Sequence, residues 1–212
     1  MTRLADDPAR GSIAPASGSH GRIKGVAFAE FLSWYDLRRE RGRVARAVRE
    51  VAEIFPGEID PAASNFGVLA SRWYPAEVVH ALVDRVVAGV PEPELVRMAD
   101  DAAEYIMGRT LRGVYRTIFS MIASPSRYLK YVDRLWSVHY DTGHLVGTTI
   151  SERCHQMDFV DWRSHHSFIC RMNMAASRPI YVAMGLGGVT YQRLACVSDG
   201  HSHCRNVIRW EK

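Results

Sequence analysis

The chain has 212 residues, 47% of them aliphatic or aromatic and 24% charged, with four cysteines. This is the balance of one globular domain large enough to bury a substantial core. No apolar run approaches the ~20 residues a membrane helix needs, and Met1–Pro8 lacks the apolar core of a secretory signal. A cytoplasmic location is the expectation, and in a reducing compartment the cysteines point to metal or free thiols rather than disulfides. Much of the +4 charge lies in one cluster, Arg38, Arg39, Arg41, Arg43 and Arg46. It reads as a solvated helix face. Without aromatic interleaving or helix-turn-helix chemistry, nucleic acid is not an expected partner.

Residues 1–22 are rich in Ala, Ser, Gly, Pro and Asp without periodicity and are expected to form a disordered tail. A single domain is expected over 23–212. Phe28, Phe31, Leu32 and Tyr35, then Val44, Ala47, Val48, Val51 and Ile54, recur at helical spacing, with Gly42 dividing two helices and Pro56-Gly57 ending the second. After a loop, Trp73-Tyr74-Pro75 opens a helix through Val87. Pro91-Glu92-Pro93-Glu94 opens a long one to about Ile122, with Gly108 and Gly113 as kink positions. Ser124-Pro125 begins another that ends near Trp136.

The texture then changes. Tyr140–Gly143 is a turn, 144–151 and 154–160 read as strands, and a helix is expected from about His165 to Met184. Gly185, Gly187 and Gly188 break the chain before a last strand pair, 189–197 and 203–210. Helices followed by β-β-α-β-β predict an α+β domain, a helical layer packed on an antiparallel sheet.

The chemistry concentrates at the end. Asp199-Gly200 is a tight-hairpin signal between Cys196 and Cys204, and Cys170 lies about one helix upstream. Three thiols brought together this way are either zinc ligands, with a fourth ligand unidentified, or buried free cysteines packed as small hydrophobes. His201, His203 and Cys154 are nearby in sequence. His165-His166 sits at a helix start, where a cap or water accounts for it. Haem is not expected, since no Cys-x-x-Cys-His run exists and the histidines are scattered. No nucleophile elbow, phosphate-binding loop or His-Glu-x-x-His run is present, and Asp100-Asp101 reads as a solvated face. A non-enzymatic role is therefore the expectation, with a zinc enzyme as a remote third reading.

Cys196-Val-Ser-Asp-Gly-His-Ser-His-Cys204-Arg205 resembles the end of the 4-vinyl reductase domain, a sensor module of bacterial regulators. That resemblance implies zinc on three thiolates, Cys170, Cys196 and Cys204, plus an acidic residue at the position that is Arg193 here. Over roughly 23–212 the chain also resembles an uncharacterised family abundant in myxobacteria. Lys24-Gly25, Trp73-Tyr74-Pro75, Ala103-Glu104-Tyr105, Leu135-Trp136, Tyr140–Gly143 and Cys196…Cys204…Trp210 carry this second likeness. The two resemblances imply a fold shared with transport-particle and haem–nitric-oxide-binding domains.

They also imply a small-molecule sensor holding an apolar or aromatic ligand between helices and sheet. Its candidate lining is Trp73, Tyr105, Tyr115, Phe119, Trp136, Phe168 and Met172. The signal would pass through a homodimer or a separate effector protein. The alternative is an interaction or scaffolding module with a packed core, using the long helix and the 38–46 cluster as its partner surface.

Overall fold

In the computed structural model, which describes residues 20–111 and 124–211, two antiparallel sheets frame the chain. The smaller pairs β1 (Arg22–Lys24) with β2 (Trp73–Pro75), Ile23 opposite Tyr74. Three residues each are too short to show a two-residue period, so Trp73-Tyr74-Pro75 looks like a helix start in sequence. Pro75 does precede the helix, but the residues themselves are strand. Ahead of Ile23, the carbonyl of Gly21 accepts from Ala76 N–H at 3.0 Å.

Between these strands run α1 (Val26–Arg38) and α2 (Arg43–Ile54), parted at Gly42, whose φ of +80° favours glycine. Then come α3 (Ala76–Val87) and α4 (Glu92–Thr110). Helix α4 continues through Gly108; the rest of the expected long helix, with Gly113, lies outside the described residues. Helix α5 (Pro125–Trp136) is capped by Ser124, whose Oγ accepts from Arg127 N–H at 3.3 Å. Among the described residues no helix is long and apolar enough to cross a membrane.

The larger sheet has strands β3 (His144–Ser151), β4 (Cys154–Val160), β5 (Gly187–Ala195) and β6 (Cys204–Glu211), ordered β3-β4-β6-β5 and antiparallel throughout. Alternation decides which face packs inward: His155, Met157 and Phe159 of β4 are buried while the residues between them are not. At the turn into β3, Gly143 has φ +77°, and a Cβ there would stand 2.7 Å from the Trp162 Cα. The turn therefore requires glycine.

Between β4 and β5 the expected helix 165–184 is two helices, α6 (Ser167–Ala175) and α7 (Ser177–Ala183). Pro179 has no N–H and its ring crowds the carbonyl four residues back, which divides the segment at Ala176. Helix α6 packs on α4 and β5, placing Cys170 beneath the end of the sheet.

Three of the five arginines in the Arg38–Arg46 cluster form ion pairs within the chain. Arg39 pairs with Asp101 and Glu94, and both Arg43 and Arg46 pair with Glu40.

Candidate metal centre

Strand β5 ends at Ala195, and the chain does not reverse in the tight two-residue hairpin that Asp199-Gly200 suggests. Cys196 instead opens a longer connection, with a 3-10 turn at Val197–Asp199 and Gly200 at φ +88°. The N–H groups of Asp199 and His201 both return to the Cys196 carbonyl, at 3.0 and 3.2 Å. This folded connection brings the sulfurs of Cys196 and Cys204, the first residue of β6, to 3.3 Å.

Helix α6 supplies the rest. His166 is its cap, its Nδ1 accepting from the N–H groups of Phe168 and Ile169 while Nε2 lies 2.9 Å from Asp84 of α3. Cys170, in the second turn, places its sulfur 3.8 Å from that of Cys196. His165, just outside the helix, points to the same spot, with Nε2 3.3 Å from the Cys196 sulfur. The four ligand atoms all lie within 4.8 Å of one another, and the three cysteines are fully buried.

The electrostatics suit a cation. Hydrogen bonds from Cys170 and Cys204 draw the Cys196 thiol far below its usual range, with His165 and Ser198 adding to them and burial opposing. Cys170 is pushed up by the same partnership. Burial lowers the pKa of His165, but the adjacent sulfurs outweigh it and push the value up to about 9. The backbone N–H of Val197 donates to the Cys204 sulfur at 3.3 Å. These groups already share protons around one negative sulfur, and a metal ion would replace those protons.

Arg193 does not join the ligand set. Its guanidinium donates to Asp199 at 2.6 Å and lies beside Cys196. The other sequence neighbours point elsewhere. Cys154 pairs with Arg209 at the far end of the β4–β6 ladder from Cys204, His201 Nδ1 meets the Cys196 carbonyl, and His203 meets Asp158. The residue missing from the sequence reading is His165. Attributing both histidines to a helix cap is right for His166 alone.

The candidate ligand-lining residues are dispersed. Trp136 stacks on Tyr140 and meets Phe159 and Trp162 edge-on, and Phe168 packs on Phe31. Trp73 lies under Lys24 on β2, and Tyr105 lies between Arg38 and Arg109 on α4. Met172 is buried on α6. Tyr115 and Phe119 lie outside the described residues. A cleft of about 320 Å3 does open between α4, α6 and β5, but its walls are Val96, Asp100, Arg171, Met174, Tyr191 and Arg193. Asp100, expected on a solvated face, accepts here from the Tyr191 hydroxyl.

No family model and no curated protein matches the chain. Solved structures do. The Fe(II) unliganded H-NOX protein from K. algicida superposes with a TM-score of 0.64 at 12% identity, over 90% of this chain and 97% of that one. The H-NOX protein from S. oneidensis in the Fe(II)NO state gives 0.61 at 12%, over 90% and 100%. The SO2144 H-NOX domain from Shewanella oneidensis in the Fe(II)CO state gives 0.62 at 9%, over 90% and 99%. The chain has the H-NOX fold.

A further H-NOX structure of this fold was solved to probe haem distortion, so the described residues must be tested against haem. Iron in haem needs an axial side chain facing an apolar pocket. The described cleft offers haem neither a His nor a Cys axial ligand, and its walls are charged. Residues 112–123 contain no His or Cys. The H-NOX fold is here combined with a thiol–imidazole cluster.

Proposed function

We propose that the chain is a non-enzymatic small-molecule sensor domain whose sheet end is closed by a structural zinc ion on Cys170, Cys196, Cys204 and His165. One observation carries this reading: three sulfurs and one imidazole nitrogen, from two elements and a connection, converge within 4.8 Å. Zn–S bonds of about 2.3 Å and Zn–N bonds of about 2.0–2.1 Å in a tetrahedron require ligand atoms roughly 3.5–3.8 Å apart. The separations of 3.3, 3.3 and 3.8 Å from the Cys196 sulfur lie near that range, and all four ligand atoms stay within 4.8 Å of one another. Four protein ligands complete the tetrahedron and leave no position for substrate, which favours a structural over a catalytic ion. The zinc would tie α6 to the β5–β6 connection. The sensor half of the reading is supported by the H-NOX fold, two of whose solved members are described with NO or CO bound.

Elemental analysis of the purified protein, with thiol titration before and after denaturation, tests the zinc. One zinc per chain and three thiols protected until denaturation are expected, with zinc content falling in His165→Ala. Metal-free protein with all three thiols freely reactive overturns the reading.

A second reading, an interaction module, has one observation in its favour. Tyr131, Leu135 and Val138 on and after α5, and Val146 and Ile150 on edge strand β3, expose apolar side chains on adjoining elements. The same surface would serve a sensor whose signal passes to a second copy or an effector. Light scattering across a concentration series separates monomer from dimer.

A further inference from the structure

The cleft against β5 is a second, independent feature. Its lining comes in pairs at the spacing that puts two residues on one face of each element: Val96 and Asp100 on α4, Arg171 and Met174 on α6, Tyr191 and Arg193 on β5. Val96 and Met174 supply apolar wall, and Arg171 and Arg193 supply two planar guanidinium forks.

Both guanidinium groups are largely buried, with side chains 20% and 17% exposed, yet their present partners are exposed: Glu92 at 63% and Asp199 at 51%. Ion pairs with one solvated partner are weak and exchangeable. The buried Nε of Arg193 finds no acceptor among the described residues, so the fork is incompletely used. An incoming carboxylate could take a guanidinium bidentately and return Glu92 or Asp199 to water.

We propose that this cleft binds a small monocarboxylate with an apolar or aromatic body, anchored by Arg171 and Arg193 and seated against Val96 and Met174. The proposal rests on the sensor reading and not on the zinc. The volume of about 320 Å3 lies at the small end of ligand sites, which span about 300–1,000 Å3, and suits a molecule the size of benzoate. Asp100 on the same wall, held by Tyr191, works against a dianion such as phosphate. Asp199 belongs to the Cys196–Cys204 connection, so a ligand that displaces it from Arg193 acts directly on the segment carrying two of the thiols.

Calorimetric titration of the full chain with benzoate, benzyl alcohol and inorganic phosphate tests this. Saturable benzoate binding is expected, weakened at least tenfold in Arg193→Gln and in Arg171→Gln, with no measurable binding of the neutral alcohol. Arg171→Lys, which keeps the charge but not the fork, and Val96→Trp, which narrows the cleft from its exposed wall, are each expected to weaken benzoate while preserving the wild-type melting transition. No saturable benzoate binding overturns the proposal. So does equal binding to the arginine variants, or phosphate binding without benzoate binding. Zinc is measured on the same samples: zinc present without benzoate binding sinks the cleft alone, and arginine-dependent benzoate binding without zinc sinks the metal centre alone.

Discussion

The helical layer and the thiol corner solve the same problem, burying the end of a sheet-based domain, with opposite materials. In α1–α3 the buried positions include Phe28, Phe31, Leu32, Val44, Val48, Val79, Leu82 and Val83, while ion pairs such as Arg85–Glu50 stay at the surface. Stability there is spread over many apolar contacts, and no single group is decisive. At the corner His165, Cys170, Cys196 and Cys204 gather with Arg193 in a space that apolar side chains would fill more cheaply. Cohesion there depends on what neutralises the sulfurs. One region should lose stability in increments, the other in one step.

Chelation should therefore give the largest effect. With zinc at about a thousand times its dissociation constant, binding contributes about 4.1 kcal/mol, or about 8–16 °C of melting temperature in a chain this long. Dialysis against a strong chelator should lower the melting temperature by that amount, and Cys204→Ala should melt at the same temperature with or without chelator. An unchanged wild-type melt would erase the contrast between the two regions. A smaller loss is expected from Val79→Ala in α3, fully buried in the helical layer. Removing two methyl-sized groups and leaving a partial cavity costs about 2–3 kcal/mol. If the regions are independent, that loss should be the same with and without chelator; a non-additive pair would mean that α3, whose His80 meets the Ser164 carbonyl, couples them.

The two regions also differ in how far sequence discloses them. Helical periodicity locates α1, α2 and α3 to within a few residues because each buries one face against the others, and the mix of β-branched and polar residues after Trp136 does the same for β3 and β4. Cys170, Cys196 and Cys204 are legible as a group because thiols are few. What sequence does not disclose is set by contacts rather than by pattern. Strands β1 and β2 exist because Ile23 and Tyr74 pair across 51 residues, and no local signal encodes that. The choice between His165 and His166 depends on which imidazole caps α6. A His immediately ahead of a capping residue, five positions before a buried Cys, is the signal that could have named the fourth ligand. The arginine cleft was illegible because Arg171 and Arg193 lie on different elements and each looks like an ordinary surface cation.

The smallest effect concerns a histidine that belongs to neither extreme. His155 is 2% exposed in β4, with Nδ1 2.6 Å from the Tyr181 hydroxyl and its ring edge-on to Trp210. Burial pushes the Tyr181 pKa far up, so its hydroxyl keeps its proton and donates to Nδ1. The ring proton then sits on Nε2, 3.5 Å from Thr149 Oγ1. Burial lowers the His155 pKa, so the fold favours neutral imidazole and the unfolded chain takes up the proton first. The contribution is complete above the unfolded value of about 6.5 and is lost as pH falls below it. Melting temperature should therefore decline from pH 7 to pH 5, and the decline should be shallower in His155→Asn, which keeps an acceptor for Tyr181 without a titrating ring. A slope identical in both proteins would assign the acid sensitivity elsewhere, His139 being the next candidate, since burial depresses its pKa as well.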